Sequence, residues 1–255
     1  MRPTVFSGLR QIGLYAAIAT GCASWLPAPT PMRTLASPLE PGKRARCLLV
    51  LLPGLGDSEK DFGKKGFIDA VRKRNLPVDI ISANATLGYY ARQTLRPRIE
   101  TDILAAAQKA GYEQIWFGGI SLGGLGSLLV AQGHPRELAG VVLIAPFLGE
   151  GEVIDEVADA GGLAAWQPPA KIAKDDYERD MWRFLKGATE KPETAPPIYL
   201  LSGDQDKFAK AHRTLGARIP PERRFRTRGA HDWGPWKILW ADFLDNSDFR
   251  IRCAR

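Results

Sequence analysis

Six short apolar runs, separated by segments of helical pattern, restrict what this chain can fold into more than any other feature. They are CLLVLLP (47–53), VDIIS (78–82), QIWFGG (114–119), GVVLIAP (140–146), PIYLLSG (197–203) and RFRTR (224–228). The middle four are near-continuous instead of alternating, as strands buried on both faces are. Between the runs, KDFGKKGFIDAVRKR (60–74) sets Phe62, Phe67, Ile68 and Val71 on roughly one helical face. RPRIETDILAAAQKAG (96–111) carries Pro97 in its first turn, aligns Ile99, Ile103, Leu104 and Ala107, and ends at Gly111. Strands that alternate with helices predict right-handed crossovers and an α/β fold, a mostly parallel, doubly wound sheet covered on both faces. A chain of 255 residues, 45% hydrophobic, has enough apolar surface for one sizeable core.

The rhythm breaks once. About fifty residues between Pro146 and Pro196 carry no strand signal, including AGGLAAWQPPAKIAKDDYERDMWRFLKG (160–187). An insertion of that length suits a short helical lid over a site, here 149–195, or a pair of helices packed on the sheet. The last run lies in ERRFRTRG (222–229), whose arginines alternate around Phe225 and Thr227. That pattern predicts a strand with one wet basic face. It holds part of the excess of 35 basic over 28 acidic residues, a net charge of +7. No nucleic-acid-binding motif accompanies it, so no nucleic-acid partner is expected.

The N-terminus reads as a targeting segment. Arg2 and Arg10 precede IGLYAAIAT (12–20), which is too short to span a bilayer and is followed by small residues. Residues 1–21 are therefore expected to be a signal peptide, with two exits. AIA (17–19) suits ordinary signal peptidase, whereas ATGC (19–22) resembles a bacterial lipobox, with Cys22 as the lipidated residue and Ala19 where a bulkier aliphatic residue is usual. The protein is then exported, either free in the periplasm or medium, or held on a membrane by a lipid anchor. The proline-rich stretch 22–44 suits an extended tether ahead of a domain spanning 45–250. If Cys22 is lipidated, Cys47 and Cys253 remain as an even pair. They are either two unrelated thiols or a bridge that contributes ~5 kcal/mol on the chain-entropy model. No CxxC and no paired His/Cys spacing is present, so no metal site is expected.

The chemistry centres on Gly119-Ile120-Ser121-Leu122-Gly123, a GxSxG pattern between a predicted strand and a predicted helix. A hydroxyl stands proud of a sheet only where the backbone turns sharply, and glycine on either side leaves room for that turn. Serine is a weak nucleophile without a base. Of three histidines, His134 ends a helix and His212 sits on one, while His231 in RGAHDW follows the last strand, on the same sheet edge as the serine. LLSGDQDKF (200–208) offers Asp204 and Asp206 to orient the imidazole, in the chain order Ser, Asp, His. Backbone donors for an oxyanion are expected at Leu122 and, in LLPGLGDSEKDF (51–62), at Leu55 or Gly56, with Ser58 and Asp61 capping a helix behind that turn.

From about residue 45 to 246 the chain resembles the α/β-hydrolase superfamily. FGGISLGGLGSLLVAQGHPRELAGVVLIAP resembles its nucleophile elbow, GDQD its acid turn and GAHDWGPWKILWADFL the histidine region of its esterase branch. The resemblance favours Asp206 over Asp204 and leaves Leu55 as the second oxyanion donor, with Pro53 where many members carry histidine. It implies hydrolysis of carboxylic esters through an acyl-serine, with no metal or organic cofactor. Transfer of the acyl group to another acceptor, or a non-catalytic binding role on the same fold, are the alternatives. The two leading antiparallel strands of the family have no room here, which predicts a sheet trimmed at its N-terminal side. Tyr89, Tyr90, Phe147 and Trp166 are candidates to line an apolar pocket for a small-molecule or lipid-like ester.

Overall fold

The computed structural model describes residues 26–254. The six apolar runs form β2 (Cys47–Leu52), β3 (Val78–Ala83), β4 (Gln114–Ile120), β5 (Gly140–Ile144), β6 (Ile198–Gly203) and β7 (Arg224–Thr227). Together with β1 (Thr34–Ser37) they make one seven-stranded sheet in the order β1-β3-β2-β4-β5-β6-β7. Every neighbouring pair is parallel except β1 with β3.

The reason for the near-continuous apolar runs is visible in β2. Leu48, Val50 and Leu52 enter one core, and Cys47, Leu49 and Leu51 enter the other. Successive side chains point to opposite faces, and both faces are covered. The second face is covered by α1 (Asp61–Lys64) and α2 (Phe67–Lys73), with two further helices near the C-terminus. The first carries α3 (Leu87–Ala91) and α4 (Leu95–Ile99), a π turn (Glu100–Leu104), α5 (Ala105–Ala110) and α6 (Leu122–Gly133). The insertion supplies α7 (Gly151–Asp159) and α8 (Tyr177–Glu190) to the same face, followed by α9 (Ala209–Gly216). The helices that complete the second face are α10 (Trp233–Asn246) and α11 (Phe249–Ala254).

Several expectations change. The helix read over 60–74 is broken in two because Gly66 takes φ +81° between α1 and α2. The sheet keeps one of the two antiparallel strands that were expected to be lost. That strand, β1, comes from the stretch read as a tether, and residues 26–44 are packed against the domain. Thr86 Oγ1 and Tyr89 OH donate to the Pro27 and Pro29 carbonyls, and Arg92 donates to that of Leu26 at 2.8 Å. Met32 N–H donates to Asp102 at 2.8 Å, and Leu39 and Ala45 N–H donate to Asp79 at 2.7 and 2.9 Å. The inserted residues Val153, Val157, Trp166, Trp182 and Leu185 are buried in the same core as α6, so the insertion is a packed part of the domain. Cys47 and Cys253 are bonded, with Cα atoms 5.2 Å apart, and tie α11 to the first residue of β2. The expected signal peptide and Cys22 lie outside the described residues. Among the described residues, no helix is long and apolar enough to cross a membrane.

Candidate active site

All the parallel strands end at one edge of the sheet, and the strand order reverses at β2, the place where folds of this kind bind ligands. β4 ends at Ile120, α6 starts at Leu122, and Ser121 is the single residue between them. It takes φ +53°, ψ −113°, a conformation that a non-glycine residue holds only when its surroundings fix it. The flanking glycines permit this. A Cβ on Gly119 would overlap the Gly123 carbonyl, and one on Gly123 would overlap the Leu52 carbonyl at the end of β2. Ser121 N–H donates to Ile144 at 2.9 Å, and the Ser121 carbonyl accepts from Gly124 and Phe147 N–H, each at 2.9 Å.

His231 reaches this corner from the loop after β7. Its Nε2 is 2.9 Å from Ser121 Oγ and its Nδ1 is 2.8 Å from Asp206 Oδ2. A carboxylate only accepts, so the proton sits on Nδ1 and the bare Nε2 accepts the serine hydroxyl hydrogen. Burial alone would raise the Asp206 carboxyl. The hydrogen bonds from His231 and from Phe208 N–H outweigh it and hold the group below the usual carboxylate range. The Phe208 bond is 2.8 Å and goes to the other oxygen, Oδ1. Phe208 and Trp236 each meet the His231 ring edge-on with centroids 5.0 Å away, which fixes the ring plane.

The glycine turn after β2 passes beside the serine. A Cβ built on Gly54 would lie 3.6 Å from that of Ser121. The turn closes through Asp57 N–H to the Gly54 carbonyl at 3.1 Å, with Gly56 at φ +87°. Behind it, Ser58 N–H and Oγ both donate to Asp61, at 2.8 and 2.7 Å. Burial and the nearby Asp61 raise the Asp57 carboxyl. Leu122 opens α6, so its N–H has no acceptor within the helix. An imidazole poised to take a serine proton, beside backbone N–H groups at a helix start, is an arrangement suited to acyl transfer.

The model of the Esterase family ("Putative esterase") matches residues 21–241. The chain belongs to the Esterase family. No curated protein matches it by sequence. Solved structures similar to this esterase include S-formylglutathione hydrolase from Staphylococcus aureus, 14% identical with a TM-score of 0.58 over 86% of this chain and 92% of that one. A monoacylglycerol lipase from Paleococcus ferrophilus is 17% identical, TM-score 0.53, over 85% and 99% of the two chains. A ferulic acid esterase is 14% identical, TM-score 0.57, over 87% and 98%. At these identities the structures show a shared α/β-hydrolase fold, and family membership makes the protein a carboxylic ester hydrolase.

The structure of this esterase brings Ser121, His231 and Asp206 together, and sets Leu122 and the Leu55 turn beside them. Asp204 is elsewhere: it is exposed, and its Oδ1 accepts from Gly229 N–H at 3.0 Å. Of the expected pocket residues, only Phe147 adjoins the elbow directly, through its N–H. Tyr89 is buried and holds the Pro29 carbonyl, so it is structural. Trp166 is buried within the insertion, its Nε1 donating to Glu156 at 2.8 Å, so it is committed to packing there. Tyr90 OH is buried against α6, where a Cβ on Gly126 would overlap it, without a hydrogen-bond partner. Sequence reasoning missed Phe208, Trp236 and Asp57. Trp236 had a usable signal in the tryptophan spacing of HDWGPW; Phe208 and Asp57 had only their nearness to Asp206 and to the glycine turn.

Proposed function

We propose that the protein hydrolyses carboxylic esters by nucleophilic catalysis at Ser121, with His231 as base and Asp206 as its orienting carboxylate. The observation that carries the reading is the unbroken relay Asp206–His231–Ser121, with contacts of 2.8 and 2.9 Å made by residues from three separate loops. Ser121 Oγ attacks the ester carbonyl carbon while His231 Nε2 takes its proton. The oxyanion is met by the Leu122 and Leu55 N–H groups. Collapse of the intermediate expels the alcohol, which receives the proton from His231, and leaves an acyl-serine. Water, deprotonated by the same nitrogen, then releases the acid and restores the serine.

Phe147, Phe208, Trp236 and the exposed side chain of Leu55 are apolar groups near this machinery, whereas Tyr89 and Trp166 are committed to packing. The Cys47–Cys253 bond favours an oxidising compartment and hence export, free or anchored through Cys22. Intact-mass analysis of protein purified from its native cells tests the last point: a diacylated N-terminal Cys22 supports the anchor, and an unmodified Met1 overturns export. The catalytic reading is tested by turnover of a short p-nitrophenyl ester. Ser121→Ala is expected to fold and to lose at least about 10⁴-fold in kcat; a folded variant with near wild-type turnover overturns it.

A further inference from the structure

His212 takes no part in the relay, yet it is 3% exposed, and its imidazole is within hydrogen-bond reach of the loop that brackets the nucleophile. Its Nε2 lies 2.8 Å from the Pro146 carbonyl. A carbonyl only accepts, so Nε2 carries the proton. Nδ1 is buried and makes no hydrogen bond to another protein group, so the Pro146 contact alone sets the tautomer. Burial also lowers the tendency of this imidazole to take a charge, outweighing the Pro146 contact and the Asp206 carboxylate. His212 is a neutral, single-proton donor aimed at one backbone oxygen.

That oxygen belongs to a corner under strain. Ala145 takes φ +46°, a conformation that is unfavourable for a residue with a Cβ and persists only where neighbours impose it. Ala145 N–H is held by the Leu201 carbonyl at 2.8 Å, and Phe147 N–H by the Ser121 carbonyl at 2.9 Å. The Pro146 carbonyl, between them, is held by His212. The same corner receives the Ser121 N–H at Ile144, so the nucleophile's peptide is clamped on both sides by residues 144 and 147. Pro146 also packs on the first turn of α6, where a Cβ on Gly124 would come within 2.7 Å of the proline Cβ. Phe147 in turn meets Phe208 at 5.4 Å, and Phe208 meets His231. A shift of Pro146 therefore moves the serine through one path and the base through another.

We infer that His212 is a positioning residue for hydrolysis: by donating to the Pro146 carbonyl it holds the Ala145–Phe147 corner that fixes both the Ser121 backbone and the Phe208 wall of His231. This rests on the triad reading above, but it concerns a bond that can be examined without turnover. Nitrogen-15 NMR of the histidine rings in the wild-type protein at pH 7 is the first arm, with His212 expected neutral and protonated on Nε2. Kinetics of His212→Leu and His212→Gln on a short p-nitrophenyl ester is the second. Loss of the donor is expected to lower kcat about 10- to 100-fold with KM kept, because displacement of the nucleophile by a fraction of an ångström is felt in the chemical step. The glutamine amide can still donate to Pro146 and should restore kcat to within about threefold of wild type.

A proton on Nδ1, a folded His212→Leu enzyme with kcat within about twofold of wild type, or a glutamine variant no faster than the leucine one each overturns the inference. A purely structural role would lower the melting temperature while leaving kcat per folded molecule unchanged. If His212→Leu fails to fold, the NMR arm and a comparison of His212→Gln with His212→Asn, whose amide is too short to reach, decide the question. Ser121→Ala runs alongside as the control: turnover retained there removes the triad reading, while the NMR arm still answers for His212.

Discussion

Replacing Asp206 by asparagine preserves the shape of a buried side chain and removes its charge, and the structure fixes how the amide must sit. Asp206 Oδ1 accepts from Phe208 N–H and Oδ2 from His231 Nδ1–H, both at 2.8 Å. In the variant the amide oxygen has to stay on Phe208, because the amide nitrogen there would face another donor. The NH₂ group then points at Nδ1, which can only accept, so the imidazole proton moves to Nε2 and faces Ser121 Oγ across 2.9 Å. The serine hydroxyl loses its base while every distance is kept. The expected loss in kcat is about 10⁴-fold, or about 5.5 kcal/mol of transition-state stabilisation. Initial rates on a short p-nitrophenyl ester measure it, with circular dichroism to establish folding.

The same substitution has a stability signature. The Asp206 carboxyl titrates below its ordinary value in the folded protein, so its contribution is complete above the unfolded value near ~3.9 and is lost as the pH falls through the lower folded one. The stability gap between wild type and Asp206→Asn should therefore be constant at neutral pH and close only in strong acid. Asp204→Asn, altered at an exposed side chain outside the relay, is the control and should keep kcat within about threefold. A folded Asp206→Asn enzyme within tenfold of wild type, or an Asp204→Asn enzyme that loses more, would refute the reasoning.

Gly123→Ala places a methyl group against the Leu52 carbonyl, so α6 must move; a loss of about 1–3 kcal/mol in urea unfolding and a marked fall in kcat are expected. An unchanged unfolding midpoint would show that the elbow has slack. Cys47 and Cys253 lie 206 residues apart, and opening that loop by paired Cys→Ala replacement should cost about 5 kcal/mol by chain entropy, measured as the difference in unfolding free energy. His134 lies 2.9 Å from both Glu100 and Glu137. Burial opposes its charge, but the two carboxylates outweigh burial and raise its tendency to protonate. Its contribution is thus full below the unfolded value near ~6.5 and fades as the pH rises through the higher folded one. His134→Gln should be destabilised more at pH 5.5 than at pH 9, and a gap independent of pH would contradict the ion-pair account.

Much of this was legible because parallel strands covered on both faces need apolar residues at nearly every position, which made β2 to β6 visible as runs. The elbow was legible because only a sharp strand-to-helix turn needs Gly119 and Gly123 around a serine, and His231 and the acid turn followed from being on the same sheet edge. What could not be read has local causes. β1 is four residues of mostly exposed side chains, TLAS, with no face to bury and hence no apolar pattern. Position after β6 alone left Asp204 and Asp206 open, and the resemblance of GDQD to an acid turn favoured Asp206; in the structure the Asp204 side chain bends back to Gly229 and Asp206 meets His231. Tyr89 and Trp166 were placed near the site by chain position, but their hydrogen-bonding tips find partners in the N-terminal segment and in the insertion. His212 carries no sequence mark that separates a helix-face histidine from one locked onto a carbonyl 66 residues away.

The central claim is that the Ser121 hydroxyl, activated by His231, is the group that attacks. Reaction of the native protein with a fluorophosphonate, followed by peptide mapping by mass spectrometry, tests it most directly. One phosphonyl adduct on the peptide carrying Ser121, lost on prior unfolding of the protein, is the predicted result. An untouched Ser121 in folded, ester-hydrolysing protein, or stoichiometric modification of a different serine, would contradict it.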